Sequence, residues 1–528
     1  MMPLKGRFSG LLLVTLATSL AACGPAGKPA ETAKATAPSG VPPAPPPVVA
    51  PPPKVEAPPS GIAPDWKFPT AAEVTDESGL TVRLVERHSL PLVQLELVVR
   101  SGSATDGEKP GLAAVAGELL KAGGAGRWNG KALLDAVAAL GSSLDVSTDR
   151  DSTRITLAVT RDHLSPAMDL LAAVATAPRL DAGEFQKLKK RELDRVSSLG
   201  RSSAGWVASM VLYRELYELP TGVHPYSHFD ATTKDLGALS LADCRKWVTR
   251  EVTPKNSFLV VAGDVDAQTA AEETKRAFGK WKGEKPDAPT FAEPLGQKAL
   301  EIFLVDRPAS PQAEVYVGTL GPERTSPDWP RLRVGNQILG GGVAGRLFLD
   351  VREKRSLAYR TGSSVTSLAH GPVPIVVSAG TQTAKAGLAL AALLEHFELL
   401  GKVAPTEEET EVATRYLHDV FLVSVDTVST IASMTADLSV FGLAPDYYDT
   451  YRAAVSGVTK DQVLELTKQY FVPSRAVVVV AGDAARLGKP LSHFGAVHVV
   501  DADAGFVTKT TLPHDPSATV ELPRTSGT

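Results

Sequence analysis

One segment of this chain occurs twice, and that repetition limits what the chain can fold into more than any other feature. Thr253-Pro254-Lys255-Asn256-Ser257-Phe258-Leu259-Val260-Val261-Ala262-Gly263-Asp264 returns as Val472-Pro473-Ser474-Arg475-Ala476-Val477-Val478-Val479-Val480-Ala481-Gly482-Asp483. The offset is 482 − 263 = 219, and the helical patterns just before each copy, at 240–252 and 459–471, keep it. Leu84-Val85-Glu86-Arg87 and Leu304-Val305-Asp306-Arg307 match at 304 − 84 = 220. A repeat this long marks duplication of a whole unit of about 220 residues rather than a solenoid of short modules. At 528 residues the chain is also too long for one core.

Within the first copy, Thr81 to Val85 and Val93 to Val99 alternate as half-buried strands. Pro110 to Gly124 follows, with apolar Leu112, Val115, Ala116, Leu119 and Leu120 at helical spacing between a proline start and a paired-glycine stop. Asn129 caps a second helix that runs to Leu140 and is closed by Gly141. Strands are expected around 144–146 and at 154–160, and helices over 163–176, 181–198, 204–218 and 240–252. Strands in pairs and helices in runs imply an α+β unit with helices on one face of a sheet.

The N-terminus reads as an export signal. Lys5 and Arg7 precede an apolar run from Leu11 to Leu20, too short for a mature membrane span. It ends in Leu20-Ala21-Ala22-Cys23-Gly24, which resembles a bacterial lipobox and implies cleavage before Cys23 and its lipidation. By analogy with lipoprotein sorting, Gly24 rather than an aspartate favours the outer membrane, facing the periplasm, in a cell with two membranes. Residues 23–65 are rich in proline and alanine, an extended tether of about 100 Å at ~3 Å per residue. Basic and acidic side chains nearly balance, 55 against 59, which gives no sign of a nucleic-acid surface. Two cysteines cannot build a disulfide framework, and Cys244 reads as an inert, partly buried thiol. The expected division is a signal at 1–22, the tether, a first domain at 66–282, a linker at 283–298, a second domain at 299–500 and a loose tail at 501–528.

The Pro110 helix resembles the active-site helix of the pitrilysin/insulinase family of zinc peptidases, of the form GLAHxxEHxxxxG. In HxxEH two histidines four apart hold zinc and the glutamate activates water. Aligned on Gly111-Leu112-Ala113, the histidines fall on Ala114 and Glu118 and the glutamate on Gly117. The third ligand, also a glutamate, falls near Asp194, beside Arg195. The zinc residues are therefore gone. His224-Pro225-Tyr226-Ser227-His228 has two histidines four apart, but its proline points to a structural turn. Leu394-Glu395-His396 looks like the end of HxxEH by chance, since Ala392 stands at the first histidine's place.

Two other segments carry the resemblance. Gly340, Gly341 and Gly342 sit in a run similar to the family's LGGGxxSRL, which lines the substrate chamber. Arg352-Glu353-Lys354-Arg355-Ser356-Leu357-Ala358-Tyr359 is similar to RExRxLAY, whose arginine and tyrosine contact substrate. Without the family, the same residues read as a solvated helix end and a buried tyrosine. The resemblance implies a duplicated metallopeptidase-like half-clamshell with no catalytic residue or cofactor of its own. It implies a heterodimer with a catalytic homologue that carries the zinc, enclosing a peptide substrate, with a lipid anchor as the sole membrane contact. A zinc endopeptidase with unrecognised ligands and a purely structural scaffold are the other readings.

Overall fold

The computed structural model describes residues 66–520; the expected signal, Cys23 and tether lie outside them. Two sheets carry the duplication. The first contains β1 (Ala72–Thr75), β2 (Thr81–Glu86), β3 (Leu92–Val99), β4 (Leu144–Thr148), β5 (Thr153–Thr160) and β6 (Ser257–Gly263) in the order β1-β2-β6-β3-β5-β4. The second contains β7 (Glu301–Asp306), β8 (Gln312–Glu323), β9 (Arg360–Val365), β10 (Pro372–Gln382), β11 (Val477–Gly482), β12 (Ala496–Asp501) and β13 (Val507–Leu512) in the order β13-β12-β7-β11-β8-β10-β9. In each, the repeated apolar strand lies parallel to its opening strand: Leu84 pairs with Val261 and Leu304 with Val480. It lies antiparallel to the next strand. A central strand buried on both faces needs a continuous apolar run, which both copies supply.

Eight helices follow from the first copy: α1 (Leu112–Ala122), α2 (Gly130–Ala139), α3 (Leu164–Thr176), α4 (Ala182–Ser202), α5 (Ala204–Leu216), α6 (Thr233–Ala238), α7 (Leu241–Glu251) and α8 (Ala267–Phe278). The second copy gives α9 (Trp329–Gly340), α10 (Ala386–Lys402), α11 (Glu407–Ser424), α12 (Val428–Val440), α13 (Tyr447–Ser456), α14 (Lys460–Tyr470) and α15 (Ala484–Leu491). Side-chain caps mark many starts: Asn129 accepts from the Ala132 amide, and Ser240 and Thr459 form capping boxes.

The expectation of helices on one face needs correction, because both faces of each sheet are covered. Leu95, Leu97, Ile155 and Val261 pack on the helices of their own half. The opposite face, with Val85, Val98, Phe258 and Val260, is covered by α12, through Ile431, Ala432 and Ala436. Reciprocally, α5 of the first half lies on the second sheet, where Val207, Val211 and Leu212 join the core of Val315 and Val317. A Cβ at Gly318 would lie 2.8 Å from Leu212 Cδ1, so a glycine lets α5 approach β8. The first described residues follow the same logic: the Trp66 ring meets Phe421, and Phe68 meets Tyr448.

A polar pin crosses the exchanged contact. Glu96 on β3 is fully buried. It accepts from Arg154 at 3.1 Å, and Arg154 also donates to Asp437 of α12 at 2.6 Å. The Ser433 hydroxyl donates to Glu96 at 3.1 Å. Burial pushes the Glu96 carboxyl above its ordinary range, and Arg154 opposes that.

The expected loose tail also needs correction: residues 507–512 form edge strand β13, paired antiparallel to β12. Its Thr-Lys-Thr-Thr stretch lacks an apolar alternation because it borders solvent on an edge, where charge is favoured.

Truncating Ile431 to Ala removes a buried side chain from α12 and should cost about 2–5 kcal/mol. The loss should appear as faster amide exchange in β3 and β6 of the other half. Exchange there unchanged from wild type would mean that the two halves are energetically independent.

Candidate functional site

The helix that resembles the family's zinc helix, with its metal residues replaced, forms as α1. Gly111, at φ +87°, precedes its first turn. The buried Asp106 carboxylate accepts from the Gly111 and Ala113 amides, each at 2.7 Å, satisfying two of the orphan donors of a helix start. Burial nevertheless pushes the Asp106 pKa up to about 7, against the pull of those amides.

None of the three aligned positions fits zinc. Ala114 is exposed and carries no donor atom. Gly117 faces the β4–β5 hairpin, where a Cβ would stand 2.7 Å from Thr148 Oγ1 and 3.3 Å from Thr153 Cγ2. A glutamate side chain has no room there. Glu118 is half-buried and lies 3.6 Å from Arg191 of α4 and 4.0 Å from Lys121, which also reaches Asp145 at 3.7 Å. Ion pairs thus join α1 to α4 and β4. Asp194 is exposed on α4, apart from these pairs. Among the described residues, no group of three His, Cys, Asp or Glu side chains is arranged to hold a metal ion.

The histidine turn is built as a packed corner. His224 is buried, its Nδ1 accepts from the Tyr226 amide at 3.0 Å, and its ring stacks on Tyr217 at 4.8 Å. Tyr226 donates to Asp151, which also accepts from the Ala369 amide of the second half at 2.9 Å. Burial pulls the His224 pKa down to about 4 and lowers that of His228. His396 bonds Asp350 at 2.7 Å, and Arg355 bridges Asp350 at 2.7 Å and Glu395 at 2.8 Å. Arg355, Glu395 and His396 therefore form a structural network. Cys244 is fully buried and its thiol is pushed up to about 12, beyond the partial burial expected.

The glycine run is not wholly a loop. Gly340 is the last residue of α9, and a Cβ there would lie 2.8 Å from the Ser363 amide nitrogen of β9. It serves a close backbone approach, while exposed Gly341 and half-buried Gly342 make the turn into the π-helical segment Leu347–Lys354. Arg352 lies on that segment, stacked on Phe348 at 4.7 Å and 3.4 Å from Glu353.

Tyr359 is 52% exposed rather than buried and lines an open cleft of about 490 Å³. Its ring lies over Gly380, where a Cβ would be 2.8 Å away. Its hydroxyl donates to Glu314 Oε1 at 3.2 Å, and Arg360 donates to the same oxygen at 2.8 Å. The facing wall is the α4–α5 junction, with Ser202, Ser203 and Trp206. Arg352 does not line this cleft. From Arg191 to Ser202 the helix advances roughly 16 Å, so α4 carries both the ion pair to Glu118 and one wall of the cleft. Glu314 and Arg360 were not singled out from sequence. The one local signal was a lone glutamate within the strand-like run Ala313 to Val317, which does not by itself encode burial.

Comparison with known proteins agrees with this arrangement. Residues 81–211 match Insulinase (Peptidase family M16), and residues 238–417 match the Peptidase M16 inactive domain. The chain belongs to the insulinase family. An uncharacterized zinc protease of Mycobacterium tuberculosis is 26% identical over 235 residues, covering 44% of this chain and 52% of that relative. The chain thus spans about half the length of that mycobacterial relative. A non-peptidase homolog of Helicobacter pylori is 22% identical over 395 residues, 73% of this chain and 88% of the relative. The crystal structure of a peptidase M16 inactive domain from Pseudomonas fluorescens superimposes with a TM-score of 0.72 at 25% identity, covering 78% of this chain and 98% of that one.

Two outcomes follow from this geometry. Helix propensity favours alanine over glycine by about 1 kcal/mol, but overpacking costs about 1–3 kcal/mol. Gly117→Ala should therefore lower the urea midpoint in wild type and raise it in a Thr148→Ala background; a rise in both would show that the hairpin does not exclude a side chain. For His224, the folded pKa of about 4 lies below the ordinary value of 6.5. The unfolded chain binds the proton first as pH falls, so His224 adds stability above pH 6.5 and loses it toward pH 4. The stability gap between wild type and His224→Gln should narrow by about 3 kcal/mol across that window in urea titrations. A gap independent of pH would refute a buried neutral imidazole.

Proposed function

We propose that this chain is a non-catalytic, peptide-binding subunit of a zinc endopeptidase of the cell envelope, completed by a catalytic homologue. The observation that carries the reading is Gly117 wedged against Thr148. The position of the water-activating glutamate is closed by packing, in addition to the loss of both histidines. Zinc chemistry of this kind needs three protein ligands and an open position, so the metal belongs to the partner. The names of the inactive-domain family model and of the non-peptidase relative support the non-catalytic part of this reading.

In this reading Tyr359, exposed in the cleft, faces the peptide, and Arg352 is a second substrate contact outside it. Preorganised donors at a developing oxyanion typically contribute about 10²–10³ in kcat. Mixed with its catalytic homologue, the chain should form a 1:1 complex by light scattering, with peptidase activity absent from this chain alone. Tyr359→Phe should lower kcat of the complex by about 10²–10³, and Arg352→Ala should also raise KM. Arg355→Ala is no neutral control, since it opens the network with Asp350 and Glu395. Lys354→Ala on the same segment serves instead. A homologue fully active by itself that never associates would remove the subunit reading. An active complex indifferent to Tyr359 and Arg352 would reduce this chain to a scaffold.

The sequence Leu20-Ala21-Ala22-Cys23 carries the location. Mass spectrometry of the mature N-terminus should show an acylated Cys23, and Cys23→Ser should release the protein from membranes. A soluble wild-type protein cut elsewhere would contradict it.

A further inference from the structure

The cleft beside Tyr359 contains an incomplete ion site. Glu314 is 6% exposed, and its Oε1 accepts both donors while Oε2 has none. A buried carboxylate oxygen without a donor is costly, and native structures leave few of them. Among the described residues lining the cleft, Glu314 and Arg360 carry the only charges, and the other walls include Trp206, Tyr316, Tyr359 and Phe229. A carboxylate among aromatic faces favours a cation. The site already holds one, since Arg360 reaches in from a side chain that is 63% exposed. Only the arginine end of this pair is open to solvent, so the guanidinium can swing out without disturbing β9 when another cation takes its place on the buried carboxylate.

We propose that Glu314 is the receptor for a basic side chain, arginine or lysine, of a bound peptide, and that Arg360 occupies the receptor until the peptide displaces it. The incoming cation takes the contact to Oε1 and supplies the donor missing at Oε2. The aromatic rings flank its stem, and Arg360, once outside, is free to meet peptide carbonyls. This rests on reading the cleft as part of a peptide-binding face. It is measured on the full chain without a partner, so failure of the subunit pairing would leave it standing, and its own failure would leave pairing intact.

The test uses fluorescence anisotropy with an N-acetylated, C-amidated, labelled peptide containing one arginine, and its citrulline counterpart. A charge-assisted contact of this kind corresponds to about tenfold in affinity, so the arginine peptide should bind about tenfold tighter than the citrulline peptide. Glu314→Gln, nearly isosteric, should abolish that preference while keeping the thermal midpoint. Arg360→Ala should strengthen arginine-peptide binding by several-fold, because it removes the competitor. That direction separates the proposal from a structural role, under which losing Arg360 weakens or leaves binding alone. Equal affinity for the two peptides, a preference that survives Glu314→Gln, or weaker or unchanged binding in Arg360→Ala would each overturn it. So would an unacetylated peptide without a basic residue that binds as well as the arginine peptide, because the receptor would then be for an α-amine.

Discussion

The structure depends on a reciprocal exchange. Each sheet has two apolar faces, and its own helices cover one of them. The second face is closed by a helix from the other copy, α12 on the first sheet and α5 on the second. Burial of apolar area is the main favourable term in folding, so an uncovered central sheet would forfeit much of its stabilisation. The Glu96–Arg154–Asp437 pin adds register to this contact more than strength, because desolvation offsets most of the attraction in a buried ion pair. Two similar halves joined this way act as one body. That fixes how the α4–α5 junction meets β8 and so shapes the cleft.

Where the metal residues of the family are missing, the surrounding framework has filled the gap. A helix needs its buried face packed whatever its chemistry, and α1 retains Leu112, Val115, Leu119 and Leu120 in the core. Glycine at 117 allows α1 to rest on the β4–β5 hairpin, and Glu118 has become an anchor for Arg191 and Lys121. The position where a metal would tie α1 to α4 is thus bridged by an ordinary, partly exposed ion pair.

Much of the fold was legible in the residues. The Ser257 and Val477 strands, the Asn129 cap and the stop at Gly123 are local signals, and the structure places each close to its expected span. The exchange was not legible, because the apolar stripe of α5 or α12 says that a face is buried but not against which sheet. Strand β13 was missed because an edge strand needs no apolar alternation. At the cleft, Tyr359 was identified through its motif, whereas Glu314 sits in Ala313-Glu314-Val315-Tyr316-Val317, which reads as a plain strand. Its burial arises from the meeting of β8, Gly380 and Tyr359, and no local pattern encodes that.

The exchanged helices also set a timetable for synthesis. The first sheet is complete in sequence at Gly263, yet the helix that covers its second face begins at Val428, 428 − 263 = 165 residues later. At ordinary rates of chain elongation that interval is roughly 8–33 s. Throughout it, a finished sheet presents Val85, Val98, Phe258 and Val260 with no helix of its own half to lay over them. The N-terminal copy therefore emerges from the ribosome as a domain in outline only. It has to be held apart from other chains, or kept unfolded for export, until the last fifth of the polypeptide arrives to complete it.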